Sequence, residues 1–597
     1  MKIAYKNNTL ERTLVGVKTV TSMMVVASFV LLFGFYEPPV REAIIYSVQI
    51  VLLFVFLIGK TIRLLNARSK REYILANWYE IPMLLALAMV MLGSEYWFDE
   101  IAPGRVRHLA TGVYLIFEVT IKVFMASISL AATGRNPTKT LIGSFVVLIG
   151  TGAGLLMLPT ATTGKESLRF VDAVFTSTSA ACVTGLVVKN TGEDFTFLGQ
   201  VIILVLIQLG GLGIMVFGAV IALLLGQAFS LRESVALQDL LSARTLGRIG
   251  NIIVFIFVVT LLVEAIGALS LFEMWDDLPT WDARLQSRAF YSIFHSISAF
   301  CNAGFDLLGD SLIRYSGNWQ TYGVMCPLII LGGLGFSVLY NLATVLGDRV
   351  RGILRRYLRR PYMLAVEPPA KLRLQSKIVL SASGALIVLG TLMLLFFEHF
   401  SGSPDRIGNL GILGAFFQSV TARTAGFNTV SIADLTASSK FILILLMFVG
   451  GSPGSTAGGI KNVTLVVILM TVIAMLRKRG EVEMFKRSVR MVVVNRAVTI
   501  TLLFVVVLFG ATLALSVTER PYAQGFTMLD YMFEASSALG TVGLSTGVTP
   551  TLTTAGRLII IVVMLIGRLG PLTLVAALTF NLKPIRYNYP DEPIIVG

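Results

Sequence analysis

Charge is scarce in this 597-residue chain. Asp, Glu, Lys and Arg make up 14% of it, against 55% hydrophobic residues, and the mean hydropathy is +0.80. A soluble domain so composed lacks the polar side chains to cover its own surface, so the sequence reads as a multi-spanning membrane protein. Cysteine and histidine are scarcer still, at three residues each. Cys182, Cys301 and Cys326 show no CxxC spacing, which excludes a disulfide framework and a zinc module; they read as small apolar packing residues. His108, His295 and His399 form no metal-ligand spacing. An enzyme embedded in the membrane would need His, Asp, Glu or Cys clustered at one depth, and the chain offers only the scattered Glu118, Glu264 and Glu534. Nothing resembles a nucleotide site, so an ATP-driven pump would need a separate subunit. A cleavable signal peptide is not expected: the first apolar run, near 15–35, has the length of a spanning helix and lacks a small-residue cleavage site.

What is abundant is apolar sequence of membrane length. Runs long enough to span fall near 15–35, 43–64, 79–94, 108–131 and 140–159, then near 198–226, 251–274, 322–346 and 374–398. The last lie near 439–475, which is interrupted, 497–517 and 556–580. The net charge of +15 gathers in a few loops between these runs. Residues 347–377 carry Arg349, Arg351, Arg355, Arg356, Arg359, Arg360, Lys371, Arg373 and Lys377, and residues 477–496 are similarly basic. That is the positive-inside pattern of a membrane protein, not the footprint of a nucleic-acid binder. Opposite segments are mixed or acidic, with Glu273, Asp276, Asp277, Asp282, Asp306 and Asp310. The asymmetry places both termini in the cytoplasm of a plasma (inner) membrane protein.

Four short segments repeat one pattern: FTSTSAACVTGL from Phe175, FHSISAFCNAGF from Phe294, FFQSVTARTAGF from Phe416 and FEASSALGTVGL from Phe533. In each a Phe stands ten residues before a glycine, and these glycines, Gly185, Gly304, Gly426 and Gly543, are spaced by 119, 122 and 117 residues. Each segment lies in a gap between two of the last eight runs, on the predicted outer side. A stretch of about ten residues is too short to cross a bilayer about 30 Å thick. Glycine-containing irregular backbone at membrane depth is tolerated only where it lines a water-filled cavity. The expected geometry is therefore re-entrant: a short helix descends and an extended strand returns, its carbonyls replacing the water shell of a cation. Every repeat enters from the same side, so these are parallel repeats rather than inverted ones.

These segments resemble the four pore loops of the Trk/Ktr/HKT superfamily of potassium transporters, over roughly residues 138–582. The resemblance implies an all-α membrane protein with four tandem helix–pore loop–helix repeats in pseudo-fourfold arrangement around one pore, preceded by four extra transmembrane helices. It implies a selectivity filter made by Cys182, Val183, Thr184 and Gly185, by Cys301, Asn302, Ala303 and Gly304, by Arg423, Thr424, Ala425 and Gly426, and by Gly540, Thr541, Val542 and Gly543. Only one glycine per segment is common to all four, which in this family implies weaker selectivity than a full channel signature. Family members with Ser at the first key position are similar to sodium-preferring plant transporters; all four here are Gly, which favours potassium. Arg423 is expected to point behind the filter, toward an acidic or carbonyl partner.

A second motif follows each segment: LGGLG at 209–213, LGGLG at 331–335, VGGSPGSTAGG at 449–459 and IGRLG at 566–570. In the first two copies the glycines suit close helix packing. The third is different. Gly450, Gly451, Ser452, Pro453, Gly454, Ser455, Thr456, Ala457, Gly458 and Gly459 have poor helix propensity, and Pro453 removes a helical donor, so the helix should break there. In the fourth copy Arg568 replaces the second glycine, and an intramembrane arginine needs a carbonyl or acidic partner. By resemblance to the superfamily, Gly450 to Gly459 is a movable gate whose carbonyls Arg568 bonds, with Lys461 contributing similarly; the plainer alternative is a packing kink with a structural arginine.

The expected organisation is an N-terminal four-helix region at 1–135, repeats at 136–250, 251–372, 373–490 and 491–597, and a cytosolic tail within the last. In the N-terminal region Glu118 and Lys122 form an i,i+4 pair that could neutralise itself, and no arginine series suggests a voltage sensor. Packing or assembly is the expected role. The function expected is potassium uptake, with no cofactor in this chain and potassium as substrate at the filter. The alternative is a sodium-conducting or poorly selective pore of the same fold. The resemblance further implies a homodimer in membrane lipid and a cytosolic nucleotide-binding regulatory ring of the RCK type docked on the basic inner loops.

Overall fold

In hydrocarbon every backbone N–H and C=O must find a partner within the chain, so the apolar runs fold as helices. The computed structural model describes residues 5–97, 106–119, 137–164, 167–213, 249–275, 285–357, 371–401, 410–520 and 525–570, with single positions at 121, 216, 219, 220 and 223. Expected helix ends at 122–131 and 571–580, most of 214–226, the inner-loop stretch 358–370 and the tail lie outside the described residues.

The N-terminal region contributes α1 (Asn8–Phe33), α2 (Glu42–Asn66), the short α3 (Lys70–Ala76), α4 (Glu80–Trp97) and α5 (106–119). Its core is separate, built on Val25, Leu52, Phe56, Leu87, Tyr114 and Leu115. It touches the remainder through Tyr36 Oη, which donates to the Thr162 carbonyl at 3.0 Å, and Thr160 Oγ1, which donates to Phe33 O at 2.6 Å.

Four times the chain then repeats a long helix, a short buried helix and a second helix. The first set is α6 (Pro137–Leu156), α7 (Phe170–Ala181) and α8 (Phe197–Leu212). The second is α9 (Ile249–Leu271), α10 (Leu285–Phe300), α11 (Cys326–Leu334) and α12 (Phe336–Tyr357). The third is α13 (Leu374–Ser401), α14 (Ile412–Thr421), α15 (Ala437–Phe448) and α16 (Asn462–Leu476). The fourth is α17 (Met491–Thr518), α18 (Met528–Gly540) and α19 (Thr554–Leu569). Three of the second helices start on a threonine cap, with Thr196, Thr436 and Thr553 accepting from the backbone three residues on. Each short helix packs against the long helix before it and against the second helix of the preceding set, with α7 meeting α19, and those of the first, second and fourth sets also pack on their own second helix. Among the described residues five helices, α1, α2, α9, α13 and α17, are long and apolar enough to cross a membrane.

Two expectations need correction. First, the break expected in the third copy is not confined to it: α8, α11 and α19 each stop at a glycine with φ of 82° to 86°, Gly213, Gly335 and Gly570, and between the segments Thr321–Leu334 and Phe336–Leu354 the axis turns by 104°. A left-handed glycine terminates a helix as effectively as proline does, and only its φ reveals it. Second, the fold is not wholly helical. A hairpin of β1 (Val482–Met484) and β2 (Arg487–Val489) joins α16 to α17, its two turn residues Phe485 and Lys486 at φ 48° and 62°, as a tight twisted hairpin requires. Glu118 has partners beyond its own helix: it pairs with Lys60 of α2 and lies 3.8 Å from Lys18.

Lys60 is the hub of that region. Its ammonium bonds the Glu118 carboxylate, donates to Tyr114 Oη at 3.0 Å and lies 3.3 Å from Glu80. Removing one member of a buried pair strands the others in low dielectric. Lys60→Met is expected to destabilise the solubilised protein by about 3–5 kcal/mol, read as a lower thermal midpoint. Arg314→Ala, at the exposed pair with Asp310, should leave that midpoint unmoved.

Candidate functional site

The four glycine segments leave their short helices with one backbone signature. The residue two before the glycine is left-handed in every copy: Val183 at φ 57°, Asn302 at 57°, Thr424 at 79° and Thr541 at 49°. The glycines follow at 88°, 69°, 85° and 96°. An ordinary extended strand sends successive groups to opposite sides; left-handed residues interrupt that alternation. This is the backbone device that a carbonyl-lined cation site needs. Asparagine tolerates the conformation, but a β-branched valine or threonine does not do so freely, at a cost of about 1–2 kcal/mol each. Local strain of this kind is held in place by the surroundings.

The surroundings are serine hydroxyls and neighbouring backbone. Ser179 Oγ accepts the Gly185 N–H at 3.1 Å and Ser537 Oγ accepts that of Gly543 at 3.0 Å. Ser298 Oγ donates instead to Phe305 O at 2.8 Å. All three stand six residues before the glycine, a regularity visible in the sequence and not weighted there. The third copy has Val420 at that position, and the next hydroxyl, Thr421 Oγ1, has no hydrogen-bond partner among the described residues.

The segments also abut one another in cyclic order. A Cβ on Gly185 would lie 3.0 Å from Gly304 Cα, one on Gly304 would lie 2.9 Å from Gly426 Cα, one on Gly426 would lie 3.2 Å from Gly543 Cα, and one on Gly543 would lie 3.1 Å from Gly185 Cα. At each place it would also meet the carbonyl oxygen of the neighbour, of Ala303, Ala425, Val542 or Thr184. Cys182, Cys301, Ala303, Thr184, Ala425 and Val542 are all buried among these strands. Arg423 is buried too and turns away to α13, where it donates to the carbonyl and the hydroxyl of Ser383, both at 3.1 Å. A carbonyl partner is what its position called for.

The stretch between α15 and α16 sits against the broken second helices. Ser452 N–H donates to Gly333 O at 3.0 Å, Thr456 Oγ1 donates to Gly332 O at 3.1 Å, and Phe336 N–H donates back to Gly454 O at 2.9 Å. Gly458 packs under Thr541 of the fourth segment, with no room for a side chain, and Gly450 packs on Gly458 and Gly459. In the same stretch the Gly451 carbonyl accepts from Asn462 N–H at 3.1 Å. Lys461 Nζ donates to Ala457 O at 2.6 Å and Gly458 O at 3.3 Å. Arg568 donates to Thr456 O, to Gly210 O and, at 3.3 Å, to Gly211 O. One guanidinium thus joins the third, first and fourth repeats. Ser455, Pro453, Ala457 and Gly459 complete the stretch.

Apolar spanning helices with backbone broken at their midst make this an integral membrane protein whose irregular backbone is buried in protein or lines a water-filled cavity, and its similarity to known proteins places it among membrane transport proteins. The model of the TrkH family, described as cation transport protein, matches residues 106–583, and the chain belongs to that family. It is 37% identical over 466 residues to the Ktr system potassium uptake protein B of Bacillus subtilis, across 77% of this chain and 97% of that one. It is 35% identical over 472 residues to the potassium/sodium uptake protein NtpJ of Enterococcus hirae, with the same coverage of both. The fold is similar to the solved potassium transporter TrkH of Vibrio parahaemolyticus, with a TM-score of 0.55 and 19% identity over 85% of this chain and 98% of that chain.

Gly185→Ala adds a methyl against a neighbouring carbonyl and requires alanine at a left-handed φ. The protein should still fold, because its helices pack elsewhere, while ion flux falls below detection. Unchanged flux in this variant would show that the contact is not tight.

Proposed function

We propose that this chain is the membrane pore of a potassium uptake system, with its four repeats arranged pseudo-fourfold around one axis. The observation that carries the reading is the cyclic contact of Gly185, Gly304, Gly426 and Gly543, each preceded by a left-handed residue. The filter in this reading is Cys182 to Gly185, Cys301 to Gly304, Thr424 to Gly426 and Thr541 to Gly543, and their carbonyls replace the hydration shell of the ion. Arg423 supports the third strand from behind. Membrane transport and potassium in the names of the relatives support the substrate.

Gly450 to Gly459 acts as the gate in the same reading. It packs against Thr541 of the fourth filter segment, and it is held by hydrogen bonds to Gly332, Gly333, Phe336, Lys461, Asn462 and Arg568. Such bonds are exchangeable, and breaking them costs little if water enters. Arg568, with Lys461 beside it, places positive charge at that level, a barrier to cations while the loop is in place. A second reading, a poorly selective potassium and sodium pathway, is favoured by the kinship to a potassium/sodium uptake protein and by filters with one shared glycine.

Around this pore the chain divides as a four-helix region at 1–135 followed by the four repeats, with four extra spanning helices and both termini in the cytoplasm of the plasma membrane. It functions as a homodimer in lipid and receives an RCK-type regulatory ring on its basic inner surface. The described part of that surface includes the exposed Arg479, Lys486, Arg487 and Arg490 beside the hairpin. In liposomes, rubidium uptake should be inhibited strongly by potassium and weakly by sodium; equal inhibition would select the second reading. Deleting 450–459 or making Arg568→Ala should raise the uptake rate, by about tenfold or more for removal of a barrier worth 1.4 kcal/mol. No flux in the deletion would sink the pore reading.

A further inference from the structure

Three of the short helices carry a serine that reaches the long helix before it in the same way. Ser177 Oγ donates to Ile149 O at 2.8 Å, Ser296 Oγ to Glu264 O at 2.7 Å and Ser419 Oγ to Ile387 O at 2.8 Å. Three residues beyond each acceptor is a glycine, Gly152, Gly267 or Gly390, where a Cβ would strike that serine hydroxyl. The three acceptors are therefore structurally equivalent. Two are isoleucine and the second repeat alone has a glutamate.

A buried carboxyl at a position that takes isoleucine elsewhere is expensive in a membrane and needs a reason. Glu264 is 5% exposed. Its Oε2 accepts from Gln208 Nε2 of α8 at 3.2 Å. Its Oε1 lies 3.9 Å from Cys301 Sγ, and the thiol is also 3.7 Å from Gln208 Oε1. The three side chains close a triangle between the first residue of the second filter segment and the last turns of α8. Two residues beyond Gln208 is Gly210, and next to it Gly211, where a Cβ would lie 2.7 Å from Cys301 Sγ. The carbonyls of those two glycines are the ones that receive Arg568.

We propose that Glu264 is a positioning residue for the second filter segment, holding Cys301 and the arginine-receiving end of α8 in register through Gln208. The inference rests on the pore reading above. Isoleucine at this position can fill the space and cannot bond Gln208, so Cys301 loses its polar seat and the amide is left unpaired.

The test is rubidium uptake into liposomes as a function of rubidium concentration, for wild type, Glu264→Ile, Glu264→Gln, Gln208→Leu and the Glu264→Ile/Gln208→Leu double variant. Glu264→Ile and Gln208→Leu should each raise the half-saturating concentration by at least about fivefold, the lower end of measured site-to-site couplings, with a smaller change in maximal rate. The double variant should go no further than either single one. Glu264→Gln, which keeps an acceptor for Gln208, should stay near wild type. A wild-type half-saturation in Glu264→Ile overturns the inference, as do additive losses in the double variant. If Glu264→Ile does not yield folded protein, Gln208→Leu decides by the same criterion. Absence of uptake by wild type would instead strike the pore reading itself.

Discussion

A helix interrupted inside a membrane exposes carbonyls that neither water nor lipid can satisfy, and this constraint organises the centre of the protein. The second helices of the first, second and fourth repeats all stop at a left-handed glycine. Their free ends are answered from within the chain: Gly332 and Gly333 by the stretch after α15, Gly210 and Gly211 by Arg568. The stretch after α15 and the helix ends thus complete each other's hydrogen bonding. Moving one element exposes groups on another, so the polar atoms at this level respond together or not at all.

The strained segments are kept by two means. Serine hydroxyls tie the first and fourth glycine amides back to their own helices. Lateral glycine contacts, with no space for a methyl group, tie each segment to the next. The third segment lacks the hydroxyl tie and has Arg423 clamped to Ser383 instead. The buried guanidinium thereby fastens the third segment to α13. The N-terminal helices stand apart, with their own apolar core and the buried Lys60 cluster.

Much of this was legible in the sequence because it is written in glycine and proline. The near-equal spacing of Gly185, Gly304, Gly426 and Gly543 reports a repeated backbone geometry, and the run from Gly450 to Gly459 reports a broken helix directly. Arg568 stood out because a lone cation in an apolar run demands partners. What stayed hidden depends on three-dimensional neighbours. The last glycine of LGGLG looks like a packing residue until its φ is known. Glu118 sits four residues from Lys122 in the sequence, but Lys60 reaches it across 58 positions. Glu264 looked scattered because its partners Gln208 and Cys301 lie 56 and 37 residues away.

The cyclic contact of the four glycines is closed by a single polypeptide. In an assembly of identical subunits, one altered codon strikes every quarter of the ring at once, and each position must suit all four neighbours. Here each quarter mutates alone. Val420, Arg423 and Glu264 are departures that an identical-subunit ring would be forced to make fourfold, and that a single chain makes once.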